Sequence, residues 1–324
     1  MADKLQEVDD LFWKTEINQF NREITEEFLQ QGHLSARTLE QYRSGLRQFF
    51  KWVYDSCMNK PIYELKPRDA LKYQNFLIGR GLSSSAIKFK RSAVSSLCGY
   101  MEIYYLDEYP TFRNIYNKNI PSPPKAVKHE KKPLTKEELD HLVQVLEERK
   151  EWQMLAYVWF TYITGCRREE SRQLLKEVVS YNYVKDQLGN VKNYYATHNI
   201  RAKGRGKEGK VRKFSFDDRA KNAIEKWLEV RGHDECPFVF VSKSKGEVKQ
   251  VSDSAFNYWC SEIFSKIVGR RVHPHLFRST RATHIVALEG KDIKSAQALL
   301  GHESSETTEI YVVRETQDEL DDLF

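Results

Sequence analysis

The sequence predicts a mainly α-helical protein with a small antiparallel β-sheet, divided into two domains. Three observations lead to this prediction. The chain has 324 residues, which exceeds the usual size of one domain. Apolar residues recur at helical spacing along most of its length. Tyrosine- and valine-rich runs separated by glycine-containing turns lie within residues 178–216, so most strands are expected there, and a further short strand is expected at 238–241.

Three helices are predicted within the first 120 residues. The first begins after Ser35, a residue type that favours helix N-caps, and places apolar side chains from Leu39 to Val53 on one face. The second runs from about Asp69 to Ile78, where a Gly-Arg-Gly sequence ends it. The third follows the serines at 83–85, with apolar residues inward and basic residues outward. Each helix alone fits either a bundle with a solvated charged face or a surface that grips a polyanion.

A proline- and lysine-rich segment separates the two predicted domains. Residues 117–133 read NKNIPSPPKAVKHEKKP, and this composition is typical of an extended linker. Its lysines are either solvated or close to phosphates of a bound polyanion. Thr135 and Glu138 then form a capping box that starts a new helix. The predicted parts are an N-terminal domain at 1–120, a linker at 121–133 and a C-terminal domain at 134–324.

Composition excludes several classes of protein. No apolar run approaches the roughly 18 residues of a membrane span, and the N-terminus lacks the apolar core of a secretory signal. The five cysteines are scattered and odd in number, which favours reduced thiols over a disulfide framework. We therefore expect a cytoplasmic protein without a membrane partner. The net charge of +6 favours a polyanionic partner only slightly.

An arginine near the start of the second domain stands out by its position. Two helices are predicted at 139–148 and 154–163, and Gly165 suits the turn that ends the second. Arg167 then begins another helix with Glu170 one turn on. The pair is either a simple intrahelical ion pair or an arginine oriented by a carboxylate for a role elsewhere.

A basic hairpin is predicted between the strand-like runs. Residues 202–210 read AKGRGKEGK, where glycines mark a hairpin tip and four cationic residues lie close together in sequence. Such a turn is either a solvated loop or a finger that tracks phosphates. A lysine there, Lys203 or Lys207, can protonate a leaving oxygen.

The most informative stretch runs from His273 to Tyr311. It contains His275 with Arg278 three residues on, His302 after a Leu-Gly pair, and finally Tyr311. A phenol can attack phosphorus, guanidinium groups can hold its non-bridging oxygens, and imidazoles can move protons. This set predicts an enzyme that breaks and rejoins DNA strands. His273 and His275 lack a carboxylate or cysteine at ligand spacing, so no metal site is predicted, and His284 is interpreted as a structural core histidine.

The TGCRREE sequence at 164–170, the basic hairpin and the set that ends at Tyr311 together resemble the tyrosine recombinase (phage integrase) family. The resemblance covers nearly the whole chain. It implies a helical, SAM-like core-binding domain and a catalytic domain that close as a C-shaped clamp around duplex DNA. It also implies that no cofactor is needed, because a covalent protein–DNA link conserves the bond energy without ATP or a metal ion.

The same resemblance implies roles for individual residues. The implied catalytic residues are Arg167, Lys203, His275, Arg278, His302 and Tyr311. Tyr311 attacks the phosphate, Lys203 protonates the leaving oxygen and His275 serves the tyrosine as acid and base. Glu170 supports Arg167. The glycine spacing leaves the hairpin register open, so Lys207 is the alternative proton donor.

Two features depart from the family's pattern. Ser279 stands where a histidine often follows the arginine, which should not remove the chemistry. Arg168 and Arg172 are charged where relatives often have apolar residues, so the local packing is expected to differ.

The resemblance implies double-stranded DNA with an inverted-repeat site as the partner. The basic residues expected to contact it are Arg43, Arg47, Lys88, Lys90, Arg91, Arg201, Arg205 and Lys207. Recombination then proceeds through a Holliday junction in a homotetramer. The C-terminal tail places Leu320, Leu323 and Phe324 on one face and acidic residues on the other. It is either a frayed terminus or a segment exchanged between neighbouring subunits.

Two other classes of function share parts of this pattern. A type IB topoisomerase or telomere resolvase would use the same residues but usually carries larger flanking domains. A non-catalytic DNA-binding relative should have lost at least one reactive group, whereas all are present here. The short leader before Ser35 favours a Cre-like or Xer-like recombinase without an additional arm-binding domain.

Overall fold

The computed structural model describes residues 5–32, 34–116, 120–124, 132–202, 210–244 and 246–301. These residues belong to two compact units, one up to residue 124 and one from residue 132 onward. Among them, no helix is both long and apolar enough to cross a membrane.

The first unit is entirely helical in its described part. A 3-10 turn at Ile62–Glu64 lies between the third helix and the fourth. Ser35 and Ser83 cap two of the helices by accepting hydrogen bonds from backbone amides, as expected for serine at an N-cap. The helices are α1 Asp10–Thr15, α2 Gln19–Phe28, α3 Ala36–Ser56, α4 Pro67–Gly79 and α5 Ser84–Tyr104.

Helices α1 and α2 were not predicted from the sequence. They carry Trp13, Ile24 and Phe28, which are at most 2% exposed and join the same core as α3 and α5. The segment before Ser35 is therefore an integral part of the helical unit. The predicted core positions of α3 and α5 are confirmed, since Phe49, Val94 and their neighbours are fully buried.

The second unit is also mainly helical. The predicted capping box at Thr135 and Glu138 is confirmed, and each side chain accepts the other's backbone amide hydrogen. A 3-10 helix spans Lys176–Ser180, and a π-helix at Trp259–Phe264 joins α10 to α11. The helices are α6 Lys136–Glu148, α7 Trp152–Thr164, α8 Arg168–Arg172, α9 Asp218–Arg231, α10 Asp253–Tyr258, α11 Ser265–Val268, α12 Pro274–Ala287 and α13 Ile293–Leu300.

The strands are antiparallel, as predicted, but they form separate two-stranded pairs instead of one sheet. The pair β1–β4 continues into β2–β3 through a bond from the Thr197 amide to the Phe214 carbonyl at 3.0 Å. A second hairpin, β5–β6, was not predicted, and the segment at 176–180 is a 3-10 helix where a strand was expected. The strands are β1 Tyr195–Ala196, β2 Ile200–Ala202, β3 Lys210–Arg212, β4 Ser215–Phe216, β5 Val241–Ser244 and β6 Glu247–Gln250.

Helix α7 lies at the centre of the second unit. Most of its residues are buried, which is the pattern of a helix covered on all sides. Its Tyr157 is fully buried and stacks on Phe256 with ring centroids 4.4 Å apart. This rigid helix ends at Gly165 and so fixes where the following residues lie.

The start of the second unit is fastened by His284 on α12. Its Nε2 lies 2.8 Å from the Leu134 carbonyl and its Nδ1 lies 2.9 Å from the Tyr162 hydroxyl. A carbonyl only accepts, so Nε2 carries the hydrogen and Nδ1 accepts from the tyrosine. His284 is 4% exposed, which confirms its interpretation as a core histidine.

Replacing His284 by glutamine is expected to reduce the acid sensitivity of the fold. Burial lowers the pKa of His284 below its usual value of about 6.5. As the pH falls, the unfolded chain binds this proton first, so the stability present at neutral pH is lost below about pH 6.5. Urea unfolding of the full chain at about pH 7.5 and about pH 5.5 tests this. If the free energy of unfolding falls equally in the wild type and the glutamine variant between these two pH values, the acid sensitivity arises from other groups.

Candidate active site

The site is built around the turn after α7. Gly165 ends that helix with φ +59°, a left-handed conformation that favours glycine. The chain then extends to Arg167, the N-cap of α8. The Glu170 carboxylate, 1% exposed, accepts from the Arg167 backbone amide at 2.6 Å and from Arg167 Nη1 at 3.1 Å. The buried carboxylate thus holds a guanidinium that is itself 30% exposed, so Arg167 is both oriented and accessible.

Arg278 links two other segments. It lies on α12, three residues after the exposed His275, and is fully buried. Its Nη1 donates to the Gly165 carbonyl at 2.5 Å and its Nη2 donates to the Leu300 carbonyl at 2.7 Å. The guanidinium therefore ties the turn after α7 to the end of α13.

The end of α13 approaches the rest of the site very closely. Gly301 has φ +63° and terminates the helix. A Cβ added at Gly301 would lie 2.0 Å from Arg212 Nη1, and one at Gly165 would lie 2.4 Å from Leu300 Cδ2. The positive φ at both positions favours glycine, and a Cβ at either one would have to displace the end of the Arg212 or Leu300 side chain.

These contacts form a closed circuit. Arg167 binds Glu170, the Glu170 carboxylate lies 3.7 Å from Arg212 Nη2, Arg212 lies against Gly301, and Arg278 joins Leu300 back to Gly165. Arg167 and Arg212 thus lie beside one buried carboxylate, and Arg278 links the two tight turns. Such clustered cations can stabilise negative charge on a phosphate. Arg212 was not singled out from the sequence.

Other predicted site residues lie outside the described part of the chain. Lys203, Arg205 and Lys207 follow β2, His302 comes directly after Gly301, and Tyr311 lies further along. Their roles stay predictions.

The basic residues predicted to contact DNA fall into two groups. Lys88 is exposed, and Arg43 is 48% exposed with its nearest carboxylate, Glu26, at 3.9 Å. Arg201 is also exposed, on β2. These three side chains face outward, as contact with a large partner requires.

The remaining described basic residues are engaged within the first unit. Arg47 pairs with Asp10 at 2.5 Å and lies over the Trp13 ring. Lys90 is half-buried and donates to Gln48, and burial lowers the pKa of Lys90.

Arg91 bonds the Gln74 side chain at 2.7 Å and the Pro121 carbonyl at 2.9 Å. The prediction that Lys90 and Arg91 point outward is therefore wrong. Both sit on the side of α5 that meets other parts of the unit, Arg91 against the segment at 120–123.

Arg168 and Arg172, the charged residues that depart from the family's pattern, connect α8 to α10 through polar contacts. Arg168 donates to Asp253 and Asn257, each at 2.9 Å. Arg172 lies 3.9 Å from the same Asp253 and 3.7 Å from Glu169. The expected difference in packing is therefore a polar network that holds α8, the helix that Arg167 caps, against α10.

Comparison with known proteins gives a consistent result. The sequence profile described as the phage integrase family matches residues 132–318, and the N-terminal SAM-like domain of phage integrases matches residues 22–102. The SPbeta prophage-derived recombinase-like protein YomM of Bacillus subtilis (strain 168) is 33% identical over 328 residues, covering 100% of this chain and 96% of that protein. Tyrosine recombinase XerA of Pyrococcus horikoshii is 28% identical, covering 90% of this chain and 89% of its own length.

Solved structures of similar fold include two protein–DNA complexes. The Tn1549 transposon integrase with transposon right-end DNA has a TM-score of 0.67 and 17% identity, covering 94% of this chain and 99% of that one. The XerH recombinase bound to palindromic difH substrate has a TM-score of 0.67 and 16% identity, covering 99% and 98%. At these identities the likeness establishes the fold.

Fold and relatives together define a tyrosine-type site-specific DNA recombinase. The chain belongs to the phage integrase family.

Proposed function

We propose that this recombinase cuts a DNA strand by direct attack of Tyr311 on the scissile phosphate. The tyrosine oxygen bonds to phosphorus as the bond to the 5′ oxygen breaks, which leaves a 3′-phosphotyrosyl link and a free 5′ hydroxyl. The tyrosine proton passes to His275, and the leaving oxygen takes a proton from Lys203, with Lys207 as the alternative donor. No bond energy is lost, so the link can be reversed by another 5′ hydroxyl.

The cations stabilise the charge that develops during this attack. Arg167 and Arg278 bind the non-bridging oxygens, and His302 adds a third contact. Glu170 fixes Arg167 in place. The closed circuit of contacts supports this proposal, because it keeps both arginines and the turn leading to His302 at set separations before DNA arrives.

Full recombination requires two rounds of strand cleavage and rejoining, one for each strand of the duplex. We propose that the substrate is duplex DNA with an inverted-repeat site and that a homotetramer resolves a Holliday junction on it. The palindromic difH substrate bound by XerH supports a two-fold symmetric site, and the transposon and prophage origins of the relatives support a mobile-element context. The cytoplasm is the proposed location, where such DNA is accessible.

The competing functions differ in the covalent step and its product. A topoisomerase or telomere resolvase also forms the tyrosyl link but rejoins the cut strands differently, whereas a non-catalytic relative forms no link. Incubating the full chain with nicked duplexes from the DNA flanking its gene tests all three. We expect a covalent adduct on a peptide containing Tyr311, and recombinant products from intact pairs of sites. Absence of any adduct would reject the proposed function.

Removing the tail after Arg314 is expected to leave binding to a single site intact but to weaken synapsis and recombination. Leu320, Leu323 and Phe324 offer an apolar stripe suited to a groove on a neighbouring subunit, and the acidic face would be repelled by DNA. Gel shifts with one and two sites separate these steps.

The matched pair of variants changes either the apolar stripe or the acidic face of the tail. Replacing Leu320 and Leu323 by serine should reproduce the truncation, whereas Asp321→Asn with Asp322→Asn should not. Wild-type synapsis by the truncated chain would reject tail exchange.

A further inference from the structure

Arg212 holds a position that its own hydrogen bonds do not explain. It ends β3, opposite Ile200 on β2, and its side chain is only 21% exposed. The guanidinium carbon lies 4.0 Å from the centroid of the Phe214 ring, a distance typical of a cation–π contact. One face of the guanidinium is thus covered by an aromatic ring.

Two of its nitrogens are buried without a hydrogen-bond acceptor. Arg212 Nε and Nη2 have essentially no contact with solvent, and within the part of the chain that the structure describes neither has a partner in hydrogen-bond geometry. Burial lowers the pKa of Arg212, although an arginine remains charged at neutral pH. Unsatisfied buried donors are unfavourable, so a residue chosen for stability alone would not be expected here.

What Arg212 contacts suggests a different reason for its presence. Its Nη2 is 3.7 Å from the carboxylate of Glu170, the same group that binds the Arg167 backbone and side chain. Its Nη1 lies against the Cα of Gly301, where even a Cβ would collide at 2.0 Å. A single guanidinium therefore fills the space between the carboxylate that orients Arg167 and the turn that precedes His302.

We propose that Arg212 is a positioning residue for strand cleavage, acting through Glu170 and the Gly301 turn. This inference rests on the proposed function. Arg212 Nη2 lies 3.7 Å from Oε2 of Glu170, the same oxygen that accepts the Arg167 backbone amide, so its positive charge helps Glu170 to keep one orientation and thereby to hold Arg167. It also forms the wall against which the Gly301 turn rests. Without Arg212, the Arg167 side chain and the Gly301 turn can shift relative to each other.

The expected signature is a loss of cleavage rate without a matching loss of DNA affinity. Affinity arises from many phosphate contacts, whereas a displacement of about 1 Å among reacting groups can cost roughly 100-fold in rate. Arg212→Met keeps an unbranched apolar side chain but removes the guanidinium that lies over Phe214 and beside Glu170. We expect it to cleave nicked duplexes about 100-fold more slowly at saturating protein, with a dissociation constant within about threefold of wild type.

The controls use the same hairpin. Lys213 is the next residue, is exposed and carries the same charge, so Lys213→Met measures the effect of losing one cation alone. Arg212→Lys restores a cation and should recover part of the cleavage rate. Gly301→Ala introduces a Cβ into the same contact, and its effect should not add to that of Arg212→Met if both disturb one arrangement.

The outcomes separate this inference from the proposed function. If the wild type forms no adduct, the proposed function fails and the inference fails with it. If the wild type cleaves and Arg212→Met cleaves at the same rate, only the positioning role is wrong. Thermal unfolding of each variant is measured in parallel. A fall in cleavage and affinity together, in proportion to the folded fraction and without recovery in Arg212→Lys, would make Arg212 purely structural and overturn the proposal.

Discussion

In the Tyr311→Phe protein, covalent attachment to DNA will be abolished while affinity for the site stays within a small factor of wild type. The substitution removes one oxygen, the atom proposed to bond to phosphorus, and a phenylalanine ring has no group that can attack in its place. Affinity depends on many phosphate contacts along the duplex, so the loss of one hydroxyl changes it little. The variant should therefore form no covalent adduct while its affinity for the site stays nearly unchanged.

The measurement uses a nicked duplex that traps the cleaved strand. The adduct is detected as a species that survives denaturation, and binding is measured by gel shift at several salt concentrations. Tyr194→Phe is the matched control, because Tyr194 is an exposed tyrosine of the second unit and is remote from the motif in sequence. A phenylalanine variant at 311 that still forms the adduct would show that another residue is the nucleophile.

The parts of the fold that could be predicted are those determined by neighbours in the sequence. Ser35, Thr135 and Gly165 each mark a helix end, because a cap needs only a side chain or a backbone conformation within one turn. The same holds for the pair of Arg167 and Glu170, which lie three residues apart on a helical turn.

The parts that could not be predicted depend on distant contacts. Helix α1 has six residues and helix α2 has ten, lengths at which helices are marginal without tertiary packing. Their stability comes from burying Trp13 and Phe28 against α3 and α5, which no local pattern reveals. Periodicity likewise placed Arg91 away from the apolar face of α5. It could not show that the chain returns at 120–123 and covers the arginine.

Arg212 illustrates the same limit within the candidate site. In the sequence it is one of many cations in a basic hairpin, and nothing local distinguishes it from Lys210 or Lys213. Only the fold brings its guanidinium against Gly301 and beside Glu170. The residues predicted to perform the chemistry were identified by their type and spacing, whereas the residue proposed to position them could be recognised only from the fold.

The second large effect is expected for Lys203→Ala, which should slow cleavage by roughly 10²–10⁴-fold, the usual contribution of general acid catalysis. A 5′ alkoxide is a poor leaving group unless a proton reaches it as the bond breaks. Replacing the bridging 5′ oxygen by sulfur removes this requirement, because a thiolate leaves without protonation. Cleavage of such a 5′-phosphorothiolate strand should therefore restore most of the rate of Lys203→Ala.

The same substrate distinguishes the two lysines of the hairpin. A variant that lacks only a phosphate contact will be slow on both substrates, since sulfur at the bridging position does not replace a lost cation elsewhere. Lys207→Ala is thus expected to show no selective rescue. Rescue of Lys207→Ala in place of Lys203→Ala would transfer the role of acid to Lys207 and leave the rest of the mechanism intact. Rescue of neither would mean that the leaving oxygen receives its proton from outside the hairpin, with His275 on α12 as the remaining proton donor to test.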